Sequence, residues 1–202
     1  MARIPLPSPA EMSPEQRRVH DEVVAGPRGK MVGPLRAVIH SPELAERWSR
    51  LGEFLRYGTC LPKRLNELAI VVTGRRWSSQ VEWFVHARVA AEAGIPQHAI
   101  DAIQRGEAPA FEDPEEALIY EFTRALQLDG QVPPATYDAV RVRWGERGVV
   151  ELTAVIGYYT MVSMTLNVHE IPLPDGVAPV LTPPENGLAS LPPAQQPATA
   201  AE

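Results

Sequence analysis

The sequence has a single cysteine, Cys60, among its 202 residues. One cysteine excludes an internal disulfide and any metal site that is built from several thiolates. A lone cysteine between apolar neighbours is typically a small buried side chain, so we interpret Cys60 as structural rather than catalytic.

The sequence also lacks a long apolar run and a cluster of basic residues. No segment stays apolar for the roughly 18 residues that a membrane helix needs, and the N-terminal residues do not form the apolar core of a signal peptide. The net charge is −6, and the 19 Lys and Arg residues are scattered along the chain. We therefore expect a cytoplasmic protein that binds neither nucleic acid nor membranes, which leaves small molecules and other proteins as partners.

No segment alternates apolar and polar residues between hairpin turns, so strands are not expected and the fold class is predicted to be all-α. Ser13, Ser41 and Asp113 each precede a proline, which is typical of a helix start. Gln16 and Glu116 stand three residues after Ser13 and Asp113, and this spacing predicts two capping boxes. Apolar spacing predicts helices over 13–25, 35–40, 42–57, 62–76, 79–93, 96–105, 114–128, 134–144 and 147–168.

Two predicted helices, 65–74 and 149–165, are apolar on nearly every face. Such helices lie in the centre of a protein or at an interface, and in a subunit of this size we expect a sister subunit to cover part of them. Residues 1–176 are expected to form one domain. The proline-rich segment 177–202 is predicted to be a flexible tail.

The predicted helix 79–93 carries a carboxylate and an imidazole on an otherwise apolar face. Glu82, His86 and Val89 fall within roughly 60° around the helix axis, and Ser79 lies at the edge of that sector. A Glu and a His four residues apart can form a hydrogen bond, and burial would poise such a pair for proton transfer near neutral pH.

Glu67 lies in the very apolar helix before this one, where a carboxylate needs a polar partner. If the two helices pack antiparallel across the turn at residues 77–78, Glu67 converges with Glu82 and His86. The sequence leaves a structural alternative open, in which Glu82 and His86 only stabilise their helix. Glu67 would then pair with one of the nearby arginines Arg64, Arg75 and Arg76.

A metal site is a weaker alternative. The Glu-x-x-x-His spacing supplies two ligands, and His20, His169 or Glu170 could add others, but no ligand motif repeats at the spacing of a metal site. We therefore predict no metal.

Three ordered motifs surround these residues: Leu61-Pro62-x-Arg64-Leu65-x-Glu67-Leu68-Ala69-Ile70, Trp77-x-x-x-x-Glu82-Trp83-x-x-His86 and Ala90-x-x-Ala93-Gly94-Ile95. In order and spacing they resemble the core motif of the carboxymuconolactone decarboxylase family. The stretch 166–174 is similar to the end of one of its large subfamilies. The resemblance spans residues 3–176 and implies an alkylhydroperoxidase D-like (AhpD-like) helical bundle that assembles as a homotrimer or homohexamer.

The alkylhydroperoxidase branch of that family carries Cys-x-x-Cys-x-x-x-His, with a glutamate one helix earlier. In register with His86, the two cysteine positions are Ser79 and Glu82 here, and the earlier glutamate matches Glu67. Neither residue can cycle through sulfenic acid and disulfide, so thiol peroxidase activity is not expected.

The decarboxylase branch resembles this chain in its Glu-x-x-x-His without the cysteine pair. The resemblance implies removal of CO2 from a carboxylated, unsaturated γ-lactone without metal or organic cofactor, because the electron pair left behind delocalises into the conjugated carbonyl. In this interpretation His86 donates a proton to carbon, Glu82 orients His86, and Glu67 is a second acid or base.

The remaining site residues are predicted for a small-molecule substrate. Ser79 offers a hydrogen bond, Arg75 or Arg76 holds a carboxylate, and Tyr158 either lines the pocket or belongs to the core. Isomerisation or lactone opening would use the same residues. Two other functions stay open: an AhpD-like antioxidant protein that has lost its thiols, and a non-catalytic binding subunit.

Overall fold

The computed structural model describes residues 2–31 and 33–195, and over these residues the chain forms eight α-helices, a 3-10 turn at Pro9–Glu11 and no strand. The predicted all-α fold class is therefore confirmed. The helices are α1 (Pro14–Ala25), α2 (Leu35–Val38), α3 (Pro42–Tyr57), α4 (Lys63–Arg76), α5 (Gln80–Glu92), α6 (Gln97–Arg105), α7 (Pro114–Asp129) and α8 (Pro134–Val168).

The central helix is α4, and every residue from 65 to 75 is buried. Helices α5, α7 and α8 pack around it. The all-round apolar sequence of this helix is thus covered within one subunit, so α4 gives no argument for a sister subunit.

The long helix α8 joins two helices that the sequence predicted separately, and it bends at Gly145, whose φ is 70° and ψ −178°. Glycine adopts such a positive φ without a steric penalty, so the chain changes direction here. By length and composition α8 could cross a membrane, but 56% of its most apolar window is buried against the other helices, as in the core helix of a folded domain. Its outer face leaves Val150, Met164 and Val168 exposed.

Helices α4 and α5 pack antiparallel across a short turn, as predicted. Ser78 in this turn has a φ of 47°. A Cβ on Gly74 would lie 3.4 Å from the Cβ of Glu82, so glycine at this position lets the two helices approach closely. The close approach brings the polar residues of α5 next to those of α4.

One of the two predicted capping boxes forms. The Ser13 hydroxyl accepts from the Gln16 N–H at 3.3 Å, and the Gln16 side chain accepts from the Ser13 N–H at 2.9 Å. The box at Asp113 was a wrong prediction, because Asp113 accepts from the Glu115 N–H instead. The Glu116 carboxylate turns away to an ion pair with Arg64.

Residues 177–195 form neither helix nor strand, yet they lie against the helices. Leu181, Ala189 and Leu191 are buried. Gln80 holds this segment through two of its side-chain atoms: Nε2 donates to the Leu181 carbonyl at 2.7 Å, and Oε1 accepts from the Leu181 N–H at 3.1 Å. Arg124 donates to the Leu191 carbonyl at 2.9 Å.

The prediction of a flexible tail did not anticipate these contacts. The prediction considered only what the segment itself can bury, whereas the donors that hold its backbone belong to α4, α5 and α7. The last part of the expected tail, 196–202, lies outside the described residues.

Candidate active site

Glu67, His86 and Glu82 meet in the core, with exposures of 1%, 3% and 5%. His86 Nδ1 lies 2.6 Å from Glu67 Oε2, and His86 Nε2 lies 3.4 Å from Glu82 Oε2. The structure thus brings together the three residues that spacing predicted to converge, but Glu67 rather than Glu82 is the close partner of the imidazole.

The partner of Glu67 decides between the two interpretations of this residue. Its carboxylate accepts from the His86 ring N–H and is not paired with an arginine. Arg64, one of the three candidates, instead binds the acidic residues at the start of α7: Asp113, Glu115 and Glu116.

Glu82 is the acid of the site that lacks a hydrogen bond. Its Oε2 is buried and has no hydrogen-bond partner among the described residues, and the contact with His86 is an ion-pair distance only. Burial raises the pKa of Glu82, and the charge of His86 opposes that rise. The hydrogen bond between His86 Nδ1–H and Glu67 leaves Nε2 facing Glu82.

A cavity of about 530 Å³ reaches Glu82 and His86. Its volume is within the range of small-molecule sites. Most of its wall is apolar or aromatic and includes Phe84, Val85, Val89, Tyr158, Tyr159, Val162 and Leu173. Glu67 does not line the cavity, so it acts on bound molecules only through His86.

The two neighbouring tyrosines form one wall. The Tyr159 ring meets His86 edge-on, with centroids 5.1 Å apart, and burial raises the pKa of Tyr159 well above its ordinary value. The Tyr158 hydroxyl donates to the Trp48 carbonyl at 3.3 Å, and burial raises its pKa to about 12. Both phenols therefore stay neutral at physiological pH, and Tyr158 belongs to the pocket wall and to the core at once.

Four basic residues that the sequence analysis did not single out line the same cavity: Arg28, Lys30, Arg36 and Arg56. The sequence carries a signal for two of them, because Arg28 and Lys30 flank Gly29 in a Gly- and Pro-containing loop after α1. Basic side chains in such a loop are seldom required for the fold, which makes them candidates for ligand binding.

Arg75 and Arg76, the predicted carboxylate anchors, lie elsewhere. Arg75 Nε donates to the Ile103 carbonyl at 3.2 Å, and Arg76 Nη1 donates to the Ala189 carbonyl at 2.6 Å. Neither lines the cavity. At about 100° per residue, Arg76 lies on the opposite side of α4 from Glu67, which explains why proximity in sequence was misleading.

Ser79 also lies outside the cavity that Glu82 and His86 line. It is fully buried and precedes α5, and it lines a separate groove of about 730 Å³ beside residues 183–188. Its hydroxyl has no hydrogen-bond partner among the described residues. The predicted hydrogen bond from Ser79 to substrate is therefore not supported by its position.

The residues considered as metal ligands are dispersed. His20 contacts Asp21 at 2.8 Å, and Glu170 pairs with Arg3 at 2.7 Å. Over the described part of the chain, no three His, Cys, Asp or Glu residues form a group that could hold a metal ion.

Cys60 is only partly buried and does not line the cavity. Its N–H donates to Glu151 Oε2 at 2.5 Å. Burial and the neighbouring Glu151 carboxylate raise the pKa of the thiol, which disfavours the reactive thiolate.

No protein-family model matches this chain, and no curated protein matches it in sequence. Solved structures do match this chain in fold. The chain is similar to a structure described as an alkylhydroperoxidase AhpD core, an uncharacterised peroxidase-related protein from Ralstonia eutropha JMP134. The TM-score is 0.68 at 15% identity, and the match covers 86% of this chain and 93% of that one.

Two further structures are similar. One is a protein of unknown function from Agrobacterium tumefaciens that carries the name of the antioxidant defence protein AhpD, with a TM-score of 0.57, 15% identity and coverage of 68% of this chain and 95% of that one. The other is a variant of the debrominase Bmp8 in complex with 2,3,4-tribromopyrrole, with a TM-score of 0.63, 12% identity and coverage of 87% and 95%. These likenesses confirm the AhpD-like helical fold, and at such identities they show the fold alone.

Proposed function

We propose that this protein is a cofactor-independent acid–base enzyme of the decarboxylase type that acts on a small carboxylated lactone or a related carbonyl acid. The observation that carries this proposal is the buried Glu67–His86–Glu82 array, with Glu82 and His86 at the wall of a cavity of about 530 Å³. The sequence resemblance to carboxymuconolactone decarboxylases supports the same reaction class.

The reaction needs a proton at the carbon that loses CO2 and an acceptor for the electron pair of the broken carbon–carbon bond. The conjugated carbonyl of the substrate accepts the pair. Glu82, whose protonated form is favoured by burial, donates the proton to carbon. His86 then takes a proton from solvent and returns it to Glu82 from Nε2, while Glu67 holds the ring at Nδ1.

This mechanism changes the roles that the sequence interpretation assigned. Glu82 replaces His86 as the proton donor to substrate, and Glu67 replaces Glu82 as the residue that orients His86. The apolar wall supports the proposal further. It excludes water from the cavity, and this favours the step in which the charged carboxylate leaves as neutral CO2. The debrominase with this fold binds a five-membered ring, which is the ring size of a γ-lactone.

The test is turnover of carboxylated γ-lactones by the purified protein, followed as CO2 release and by NMR of the product. Glu82→Gln and His86→Gln should each lower the rate by about 100-fold or more, which is the usual contribution of a general acid. Glu116→Gln, a buried carboxylate outside the cavity, is the matched control and should keep the rate. Full turnover in His86→Gln would instead favour the structural pair of a non-catalytic subunit.

The antioxidant alternative makes a different prediction. Cys60, the one thiol of the chain, is outside the cavity and has a raised pKa, so the protein should not consume peroxide with a dithiol reductant. Cys60→Ser should behave as the wild type in this assay. Peroxide consumption that disappears in Cys60→Ser would contradict the proposal.

We also propose that the protein is a cytoplasmic homotrimer or homohexamer with a small-molecule substrate as its partner. The exposed apolar residues of α8, Val150, Met164 and Val168, are the structural support for association. Light scattering at micromolar concentration tests it, and a monomeric mass would contradict it.

A further inference from the structure

We propose that Arg28, together with Arg56 of the same cavity wall, binds the anionic group of the ligand in this cavity, so that the ligand is a small carboxylate with an uncharged, largely apolar body. The inference deepens the proposed function by assigning the residues that select the substrate. It concerns binding and does not depend on which reaction follows.

The first argument is the distribution of unpaired charge. Of the 19 Lys and Arg residues, eight form no ion pair over the described part of the chain. Four of these eight line this one cavity: Arg28, Lys30, Arg36 and Arg56. In a chain of net charge −6, such a concentration of unneutralised cations creates a local positive potential that attracts anions.

The second argument is that the cavity itself offers these cations almost no negative charge. Glu82 is the one acidic residue among those that line it, and its protonated form is favoured by burial. Arg28 and Arg56 are both close enough to act on Glu82 electrostatically, so they lie on the reactive side of the cavity. A ligand carboxylate would supply the missing charge beside the proton donor.

The third argument is the way in which Arg28 is held. A Cβ on Gly52 would overlap with the Tyr158 hydroxyl and would lie 2.6 Å from Arg28 Nη2, so the bare backbone of α3 makes room for both side chains. Arg28 Nε is buried and has no hydrogen-bond partner among the described residues. The guanidinium is thus held beside the Tyr158 hydroxyl and Gly52 with no carboxylate partner, which leaves its charge available to a ligand anion.

Acidic residues on the other side of Arg28 do not neutralise it. A small cavity there is lined by Glu22, Glu46 and Glu53. Glu22 and Glu46 are already paired with Arg18, and no carboxylate of the described chain lies within ion-pair distance of Arg28. The guanidinium therefore keeps its capacity to bind an anion.

Arg56 is the second cation of the proposed anchor. Its guanidinium carbon lies 5.4 Å from the centroid of the Tyr57 ring, a cation–π contact that orients the side chain without consuming its charge. An anion between Arg28 and Arg56 would meet two guanidinium groups, each of which can form charge-assisted hydrogen bonds to a carboxylate.

The test measures binding with a probe that the proposed reaction does not consume. Titration calorimetry with 2-furoate and with its neutral analogue 2-furamide compares a planar five-membered ring with and without charge. We expect the wild type to prefer furoate, and Arg28→Gln to lower furoate affinity by about tenfold or more, as expected for loss of a charge-assisted hydrogen bond. Furamide binding should not change.

The matched control is Arg88→Gln. Arg88 also lines the cavity, but it is exposed and paired with Glu92, so its replacement should change furoate affinity by less than about twofold. Arg56→Gln is the second test variant and decides the question if Arg28→Gln does not fold.

Several results would overturn the inference: equal binding of furoate and furamide by the wild type, no furoate binding at millimolar concentration, or furoate affinity that survives both Arg28→Gln and Arg56→Gln. If furoate binds through Arg28 but no lactone acid is turned over, the proposed reaction fails and this inference stands.

Discussion

Glu67 Oε2 lies 2.6 Å from His86 Nδ1, and this hydrogen bond joins two helices across a separation of 19 residues in the chain. Both side chains are buried, so the bond is shielded from bulk water. A shielded bond fixes which ring nitrogen faces the cavity, and it links the chemistry of α5 to the core helix α4.

Replacing Glu67 separates its structural role from its role in proton transfer. Glu67→Ala leaves the buried His86 ring without a partner and should lower the free energy of unfolding by about 1–3 kcal/mol. Glu67→Gln keeps a hydrogen-bonding group and should cost less, yet both variants should lose most of the turnover because neither stabilises the imidazolium. Urea unfolding and the lactone acid assay check the two effects separately, and full turnover in Glu67→Gln would contradict the role assigned to it.

Glu82 should make the stability of the protein depend on pH. Since burial raises its pKa, the folded protein holds this proton more tightly than the unfolded chain does. The stabilising contribution is complete below the ordinary carboxyl value of 4.5 and is lost as the pH rises through the raised pKa of the folded state. Glu82→Gln lacks this loss, so its free energy of unfolding relative to wild type should increase from about pH 5 to about pH 8.

Denaturant unfolding at several pH values measures this trend. Glu92→Gln removes an exposed carboxylate from the same helix and should leave the slope of the wild type unchanged. If the free energy of unfolding of Glu82→Gln depends on pH in the same way as that of the wild type, then Glu82 is not buried in solution.

Gly52 should be intolerant of a methyl group. In Gly52→Ala the new Cβ would overlap with the Tyr158 hydroxyl and crowd Arg28, so we expect a loss of about 1–3 kcal/mol in stability together with weaker furoate binding. Gly157→Ala on α8 is the control, because an added Cβ there meets no atom of the described residues within 4 Å beyond the nearby backbone of its own helix. Alanine there should be neutral or should stabilise the helix by up to about 1 kcal/mol. Thermal unfolding compares the two, and equal effects would argue against the crowding at Gly52.

The segment 177–195 can be tested with two leucines three residues apart. Leu191 is 4% exposed and Leu188 is 38% exposed. Leu191→Ala should lower the free energy of unfolding by about 2 kcal/mol or more, whereas Leu188→Ala should change it little. If the segment were detached, as composition alone suggested, neither substitution would alter urea unfolding.

The sequence predicted what short-range signals determine. Ser13 with Gln16 defined one helix start, and the four-residue spacing of Glu82 and His86 placed both on one face of α5. For Glu67 the sequence predicted only that a carboxylate in an apolar helix needs a polar partner, and His86 was one of the two kinds of partner left open.

The missed features depend on tertiary contacts. Arg28 reaches the cavity only because its loop folds back against Gly52 of α3, which no local pattern encodes. Asp113 and Glu116 have the spacing of a capping box, but Arg64 from a distant helix competes for Glu116. Side chains on α5 and α7 likewise hold the proline-rich segment, whose own composition predicts no order.

The position of Gln80 has a mechanical consequence. Its side chain forms hydrogen bonds with the backbone of Leu181, and it is the first residue of α5, in the same helical turn as Glu82. Tension on the C-terminal segment would therefore be transmitted to the first turn of α5, where a small tilt changes how far the acid reaches into the cavity. A chain that ends before residue 180 would lack these hydrogen bonds, and the end of α5 that supports the proton donor would be less firmly held.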